Sequence, residues 1–297
     1  MNTYNTYNMY MIETLTNMHV GSGDTHFGIV DNLIQRSPVT KVPVIHSSGL
    51  KGSLREYFVE PKLSKDEIRD LFGADVEEGN SEKSDQFTNT PGHLIFFEAN
   101  MLTLPLRSNQ NIYYNCTSED VLLDYLKSVK DFVKQDLIYD EIKNWLGTMN
   151  FSSHDFYYFK GDEGIEIEDF TKGKLYLSTI PDSVKTFLSN YCKIEIDKLA
   201  IFGSSIFGGI CKESIPVVAR NRIDKDGTSG NLFYEEVLPR KTKLYFVLGY
   251  DSYLNQTSKD SLRTKFETEF NNSVNIYQFG ANYSIGYGFS KIEKVIY

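Results

Sequence analysis

Residues 42–58 read VPVIHSSGLKGSLREYF, and the division of this stretch decides the fold. A Ser/Gly-rich loop gives way near Ser48 to apolar residues at Leu50, Leu54 and Phe58. Four-residue steps put these on one face of an α-helix. Lys51 and Arg55, also four apart, share the neighbouring stripe. Ser47 or Ser48 is the expected cap, and the first amides of the helix then face outward towards an anion. Two cations in the opening turns make this a candidate cradle for RNA phosphates. A capped surface helix is the plainer alternative.

Working outward, MYMIETLT (9–16) reads as a first strand, followed by a glycine-rich loop from Asn17 to about Asp31. Downstream, residues 62–92 are polar and charged and predict a loop with a short helix near Lys65–Phe72. HLIFFEANMLTLPL (93–106) predicts one long strand. Residues 119–147 predict one or two helices with Leu122, Leu126 and Val129 as the core stripe. KLYLST (174–179) predicts a strand and 182–192 a helix. ESIPVVARNRID (213–224), a glycine-bearing turn at 224–231 and LFYEEVLP (232–239) predict a projecting hairpin with a proline at each base. Strand KLYFVLGY (243–250), helix SLRTKFETEF (261–270) and strand SKIEKVIY (290–297) close the chain. The outer elements run βαββαβ, an α+β, ferredoxin-like order. Residues of about 107–239 interrupt it between the second and third strands, so all of 1–297 forms one domain: a palm of about 1–106 and 240–297, with an insertion.

The composition agrees with a globular protein: 40% hydrophobic and 24% charged residues. No apolar run reaches the roughly 18 residues of a membrane span. The N-terminus lacks the basic-then-apolar layout of a signal peptide, which predicts a cytoplasmic setting. Cys116, Cys192 and Cys211 are scattered and odd in number, so they point to core positions, not to zinc or disulfides. His26, His46, His93 and His154 show no metal-ligand spacing. The net charge of -9 argues against nucleic acid until its distribution is read. Asn32 to Arg55 contains no acid, whereas Asp162 to Asp169 contains five and no base.

Three further motifs carry chemistry. HVGSG (19–23), with Gly28 beyond it, lets backbone amides approach an anion, or is an ordinary loop. Asp31 in GIVDNLIQR (28–36) is a carboxylate that can bind a divalent ion or take a hydroxyl proton, or one that stabilises a turn. GANYSIGYGFSKI (280–292) offers glycines for close approach and aromatics for base stacking, or is a hairpin loop.

Taken together, HVGSG, GIVDNLIQR and PVIHSSGLKGSLR resemble, in order and spacing, the opening of the RAMP superfamily of CRISPR-associated proteins. Within it they resemble the backbone subunit of type III-B (Cmr) effector complexes. Arg220-Asn-Arg222-Ile-Asp224 with LFYEEVLP resembles a later signature of that subunit, and GYGFSKI fits the superfamily's glycine-rich segment. His46-Ser47 and Gly49 depart from the usual pattern. The resemblance implies a modified ferredoxin-like (RRM-like) palm with an inserted helical lid and a thumb hairpin. It further implies several copies stacked on a CRISPR guide RNA beside other effector subunits. The complementary single-stranded target RNA would be cut in a reaction needing Mg2+ or another divalent cation. It makes Asp31 the cleavage residue, acting with a divalent metal that Asp31 would bind; beside it, His19 at the start of the same glycine loop is the candidate catalytic helper, and Glu235 or Glu236 can join from the thumb side. RNA-binding positions on this reading are Ser22, Gln35, Arg36, Ser47, Ser48, Lys51, Gly52, Arg55, Arg220, Arg222, Gly286 and Gly288. A non-catalytic RNA-binding backbone and a guide-processing endoribonuclease are the competing readings.

Overall fold

The computed structural model describes residues 6–23, 28–59, 61–74, 91–134, 138–223, 225, 229–254, 256, 259–272 and 274–297. In chain order the palm begins with β1 (Thr6–Thr14), β2 (Val44–Ile45), α1 (Ser47–Tyr57), α2 (Lys65–Phe72), β3 (Leu94–Phe96) and β4 (Ala99–Arg107). An insertion follows: β5 (Tyr113–Ser118), α3 (Glu119–Ser128), α4 (Tyr139–Leu146), β6 (Phe156–Tyr158), β7 (Gly173–Leu175), α5 (Asp182–Asn190), β8 (Leu199–Phe202) and α6 (Ser204–Glu213). A hairpin of β9 (Val217–Ile223) and β10 (Ser229–Glu236) leads back to the palm. The palm is completed by β11 (Lys243–Tyr250), α7 (Asp260–Phe270), β12 (Tyr277–Gln278) and β13 (Phe289–Lys294).

The sheet order β13-β1-β11-β4, antiparallel throughout, is that of a βαββαβ core. Its strands alternate side chains between two covered faces. On one face Tyr10 stacks on Phe246 at 5.4 Å and meets Phe270 of α7 at 4.8 Å, while Phe58, just past α1, meets Phe266 at 4.9 Å. On the other, Tyr125 of α3 meets Tyr245 edge-on at 4.8 Å. The expected apolar stripes Leu50–Leu54–Phe58 and Leu122–Leu126–Val129 are buried.

Three differences from the sequence reading have local causes. The first strand spans Thr6–Thr14 because the amides of Leu15 and Thr16 turn to Phe289 O. The strand expected over 93–106 breaks in two. Between Phe96↔Leu248 and Asn100↔Tyr245 one extra residue is accommodated, a bulge that carries Glu98 towards His46 (Nδ1–Oε1 2.8 Å). The insertion is not simply helical: β5, β8, β6 and β7 continue the palm's sheet beyond β4. The strand expected at 174–179 is short, at Gly173–Leu175, and the helix Lys65–Phe72 forms with a Ser64/Glu67 capping box. The loop expected in 62–92 lies largely outside the described residues, as do His26 and half of the turn at 224–231.

Cys116, Cys192 and Cys211 are buried and free, and burial pushes all three thiols up, Cys211 to about 12. They are inert core residues, as their scatter implied. No helix among the described residues is long and apolar enough to cross a membrane.

Candidate nucleic-acid interface and reactive carboxylate

Four segments from three distant parts of the chain meet at the base of the hairpin: the glycine loop 17–23, the segment 28–36, the end of β10 and the loop 280–288. β10 organises them. Along one edge the Tyr234 carbonyl accepts from the amides of Asp31 and Asn32, and the Glu236 amide donates to Asn32 O. Further on, Leu238 and Met18 exchange two 2.8 Å backbone bonds. The segment carrying Asp31 is therefore laid parallel against the hairpin strand, through the Asn32–Glu235 bridge.

Beneath this joint lies a buried ion pair. Arg36 donates to both carboxylate oxygens of Glu236, at 2.7 and 2.8 Å, and to the carbonyls of Ile34 and Cys211. These five bonds use the five N–H donors of the guanidinium. Glu236 Oε2 also accepts the Ile34 amide at 3.1 Å. Adjacent residues of a strand point to opposite faces, so Glu235 looks the other way. It is 2% exposed, held by Arg220 at 2.7 Å and by Asn282 Nδ2 at 3.2 Å. Arg220 lies between the rings of Phe233 and Tyr287, 5.7 Å from each centroid.

These contacts engage several of the residues that the sequence reading gives to RNA or to the reaction. Arg36 has no donor left for a phosphate, and Glu235 and Glu236 are charge-compensated struts, not free catalytic carboxylates. Gln35 is likewise a brace: its Nε2 donates to Gly21 O and its Oε1 accepts the His46 amide. Arg55 donates to Gly73 O, tying α1 to the end of α2. Arg220 is committed to Glu235. The side chain of Arg222 lies outside the described residues, although its backbone pairs with Asn231 in β9–β10.

His19 is buried, with Nδ1 2.6 Å from the Glu236 carbonyl oxygen. A carbonyl only accepts, so Nδ1 carries the proton. Gly21 leaves room for the ring, since a Cβ there would lie 3.1 Å from Nε2. The Ser22 amide donates to Leu33 O, closing the glycine loop onto the next segment.

Asp31 differs from all of these. It is exposed, and one oxygen, Oδ2, accepts the Tyr234 amide at 2.8 Å, which fixes the carboxylate on the hairpin. No cation pairs with it among the described residues. Those residues also include no cluster of three His, Cys, Asp or Glu able to cage a metal. One carboxylate with an oxygen to spare suits a magnesium-type ion that takes its remaining ligands from phosphate and water.

The helix α1 carries the surface that the sequence reading assigns to phosphate. Its N-cap is His46, whose side chain makes no cap bond, so the expected serine cap does not form. Ser47 and Ser48 instead occupy the first turn, which carries no acid. Lys51 makes no ion pair among the described residues, and Gly52 is exposed with open space where a Cβ would stand.

The loop 280–288 splits the two glycines chosen from sequence. Gly288 has φ +79°, and a Cβ there would lie 1.9 Å from Phe279 O, so its role is packing. Gly286 has φ +82° but open space around it. Gly286→Ala is expected to cost only the left-handed penalty of about 1–2 kcal/mol. Gly288→Ala adds a backbone clash and should lower the denaturation midpoint clearly more. Equal midpoints for the two variants would contradict this packing.

Asn282 was not singled out by sequence, and the backbone role of Tyr234 was not foreseen. Tyr234 acts through its backbone, which no side-chain pattern reports. The opposite directions of Glu235 and Glu236, by contrast, were readable from strand alternation.

The RAMP superfamily model matches residues 11–291. The CRISPR system Cmr endoribonuclease Cmr4 of Pyrococcus furiosus is 28% identical over 296 residues, covering 94% of this chain and 92% of that protein. Among solved structures, type III-B Cmr-beta in its apo state matches with TM-score 0.71 at 20% identity, covering 98% of this chain and 97% of the other. Oligomeric Cmr4 from Pyrococcus furiosus matches with TM-score 0.66 at 20% identity, covering 98% and 99%. With the family model matching residues 11–291, nearly the whole length, the chain belongs to the RAMP superfamily.

Proposed function

We propose that this protein is the backbone subunit of a type III-B CRISPR effector and that it cuts target RNA at Asp31. The relative named Cmr endoribonuclease and the Cmr-beta structure bound to cognate target RNA support the assembly and its substrate. The observation carrying the catalytic part is the exposed Asp31, fixed on the hairpin without a cation beside it among the described residues, while neighbouring carboxylates are neutralised. Copies of the chain line a guide RNA, other effector subunits cap the assembly, and the setting is cytoplasmic.

In the reaction, a ribose 2′-oxygen attacks the adjacent phosphorus and the P–O5′ bond breaks. The products are a 2′,3′-cyclic phosphate and a 5′-hydroxyl. The 2′-hydroxyl gives up its proton and the leaving O5′ gains one. Regular A-form geometry holds the 2′-oxygen out of line with O5′, so the nucleotide must be displaced from its stack first. Asp31 is the residue that would hold a divalent cation, which when bound supplies positive charge against the phosphate. A metal role suits Asp31 better than a base role, because the carboxylate is exposed and is fixed through one oxygen by the Tyr234 amide, with its other oxygen to spare for a cation. His19 anchors the glycine loop to β10 and so positions Asp31. The test compares target cutting by the reconstituted complex with magnesium and with a chelator. Cutting that survives chelation removes the metal from this reading.

Lys51 is the proposed guide-phosphate contact on α1. Lys51→Ala should lower the salt dependence of RNA binding by about 0.7 in log–log slope. Arg55→Ala should leave that slope nearly unchanged and loosen the α1–α2 contact. Equal loss of slope in both variants would overturn this division.

A further inference from the structure

Three buried oxygens lie together where the insertion joins the palm: Thr103 Oγ1, Asn115 Oδ1 and Thr117 Oγ1. None has a hydrogen-bond partner among the described residues. Thr103 and Thr117 are fully buried, and Asn115 is 6% exposed. Strand pairing puts them on one face. Pro105 lies opposite Asn115 and Leu104 opposite Cys116, so the next step brings Thr103 opposite Thr117. Residues two apart on a strand share a face, which adds Asn115 to the pair. Cβ atoms of direct cross-strand neighbours are about 4.5–5.5 Å apart and those of diagonal ones about 7–8 Å, a span that small bridging molecules can fill. On the other side of β4, Thr103 is opposite Lys243, whose Nζ donates to Glu13 at 2.7 Å. Lys243 and Glu13 line a cleft of about 460 Å³ together with Lys193, Glu195 and Lys291. A buried polar atom without a partner costs free energy, and three in one place call for a shared occupant. The donor set decides its chemistry. The Asn115 oxygen only accepts, which disfavours an anion, and the Lys243 ammonium one strand away disfavours a cation. The two hydroxyls donate or accept. Water matches all three, because it donates and accepts and takes two to four polar partners.

We infer that a chain of ordered water is bound over the β4–β5 pair, seated on Thr103, Asn115 and Thr117, with the cleft at Lys243 as its entrance. Thr103 belongs to the palm, Asn115 and Thr117 to the insertion. The water is therefore the polar part of the seam that joins the two, and the insertion is seated on the palm through it as well as through the backbone ladder.

Two measurements on the full-length protein test this. The first is a crystal structure of the wild type at a resolution that shows ordered water. Peaks are expected within about 2.5–3.2 Å of Thr103 Oγ1, Thr117 Oγ1 and Asn115 Oδ1. Flat density there overturns the inference, and so does a peak that exchanges for rubidium or bromide in a soak, since the occupant is then an ion. The second is the denaturation midpoint of Thr103→Val, Thr117→Val and the double variant. Valine keeps the shape of threonine and removes its hydroxyl. If the seam is dry, each valine deletes an unpaired hydroxyl and the midpoint rises. If water is bound, each valine strands that water and the remaining oxygens. Both single variants should then lower the midpoint, and the double variant should lower it by clearly less than the sum of the two. Raised midpoints in the single variants, or strictly additive losses, would overturn the bound chain. The density is read on the wild-type protein, so a variant that fails to fold does not shield the inference from refutation.

Discussion

Asp31→Ala is expected to reduce target-RNA cleavage by roughly 10²- to 10⁴-fold while leaving RNA binding intact. The carboxylate is exposed, and its one bond within the hairpin joint is to the Tyr234 amide, so truncation removes little packing. Two backbone bonds from Asp31 and Asn32 to Tyr234 O remain to hold the joint. Removing a negative charge beside phosphate costs no affinity and can raise it. Asp31→Asn sharpens the comparison, because its side-chain oxygen can still accept the Tyr234 amide while the charge is gone. Both variants should bind and fail to cut. If the Asp31→Asn variant cuts at the wild-type rate, the charge is not what matters and Asp31 acts only as a brace. The measurement is bound and cleaved target for wild type and both variants, at saturating magnesium.

Arg36→Ala is expected to be the most damaging single change to stability in this region, at about 3–5 kcal/mol. It strands the buried carboxylate of Glu236 and leaves the Cys211 carbonyl without its guanidinium donor. Replacing both partners by leucine should be milder, since no buried charge is then left uncompensated. Denaturant midpoints of the two single variants and the double variant form the cycle, and strong coupling is expected. Hydrogen exchange should rise across residues 217–236 in Arg36→Ala more than in the palm strands. Additive single effects would mean that the pair is not the unit described above.

The palm was legible because both signals that define it are local. Four-residue apolar spacing in α1 and α7 and unbroken apolar runs in β11 survive without knowledge of partners. The insertion was less so. β5 reads YYNCTS and β8 is four residues long, and each becomes a strand by pairing with the other in parallel. The bulge in β3–β4 was invisible because one extra residue leaves no mark in the apolar run. In the candidate site, Asp31 and Lys51 were picked out by charge and neighbourhood, and neither has an ion-pair partner among the described residues, as suits a ligand-facing group. The ion pairs of Arg36, Glu235 and Glu236 were not legible for one reason. Sequence shows charge but not its compensation, and Arg36 finds Glu236 across 200 residues.

The pairing of β1 governs when this protein can fold. Its two neighbours, β11 and β13, are both supplied by the last part of the chain, with Thr6 opposite Tyr250 and Thr14 opposite Ser290. At a synthesis rate of about 5–20 residues per second, the apolar strand MYMI emerges roughly 10–50 s before its first partner. Closing so long a loop is slow even once both ends exist. The insertion, whose β5 and β8 are much nearer in sequence, has its own early pairing to make in that interval. The glycine loop and Asp31 wait longer, because β10 and the 280–288 loop must both arrive before their joint is complete. A ribosome stalled before residue 243 therefore carries an apolar first strand without its partners and an incomplete joint around Asp31.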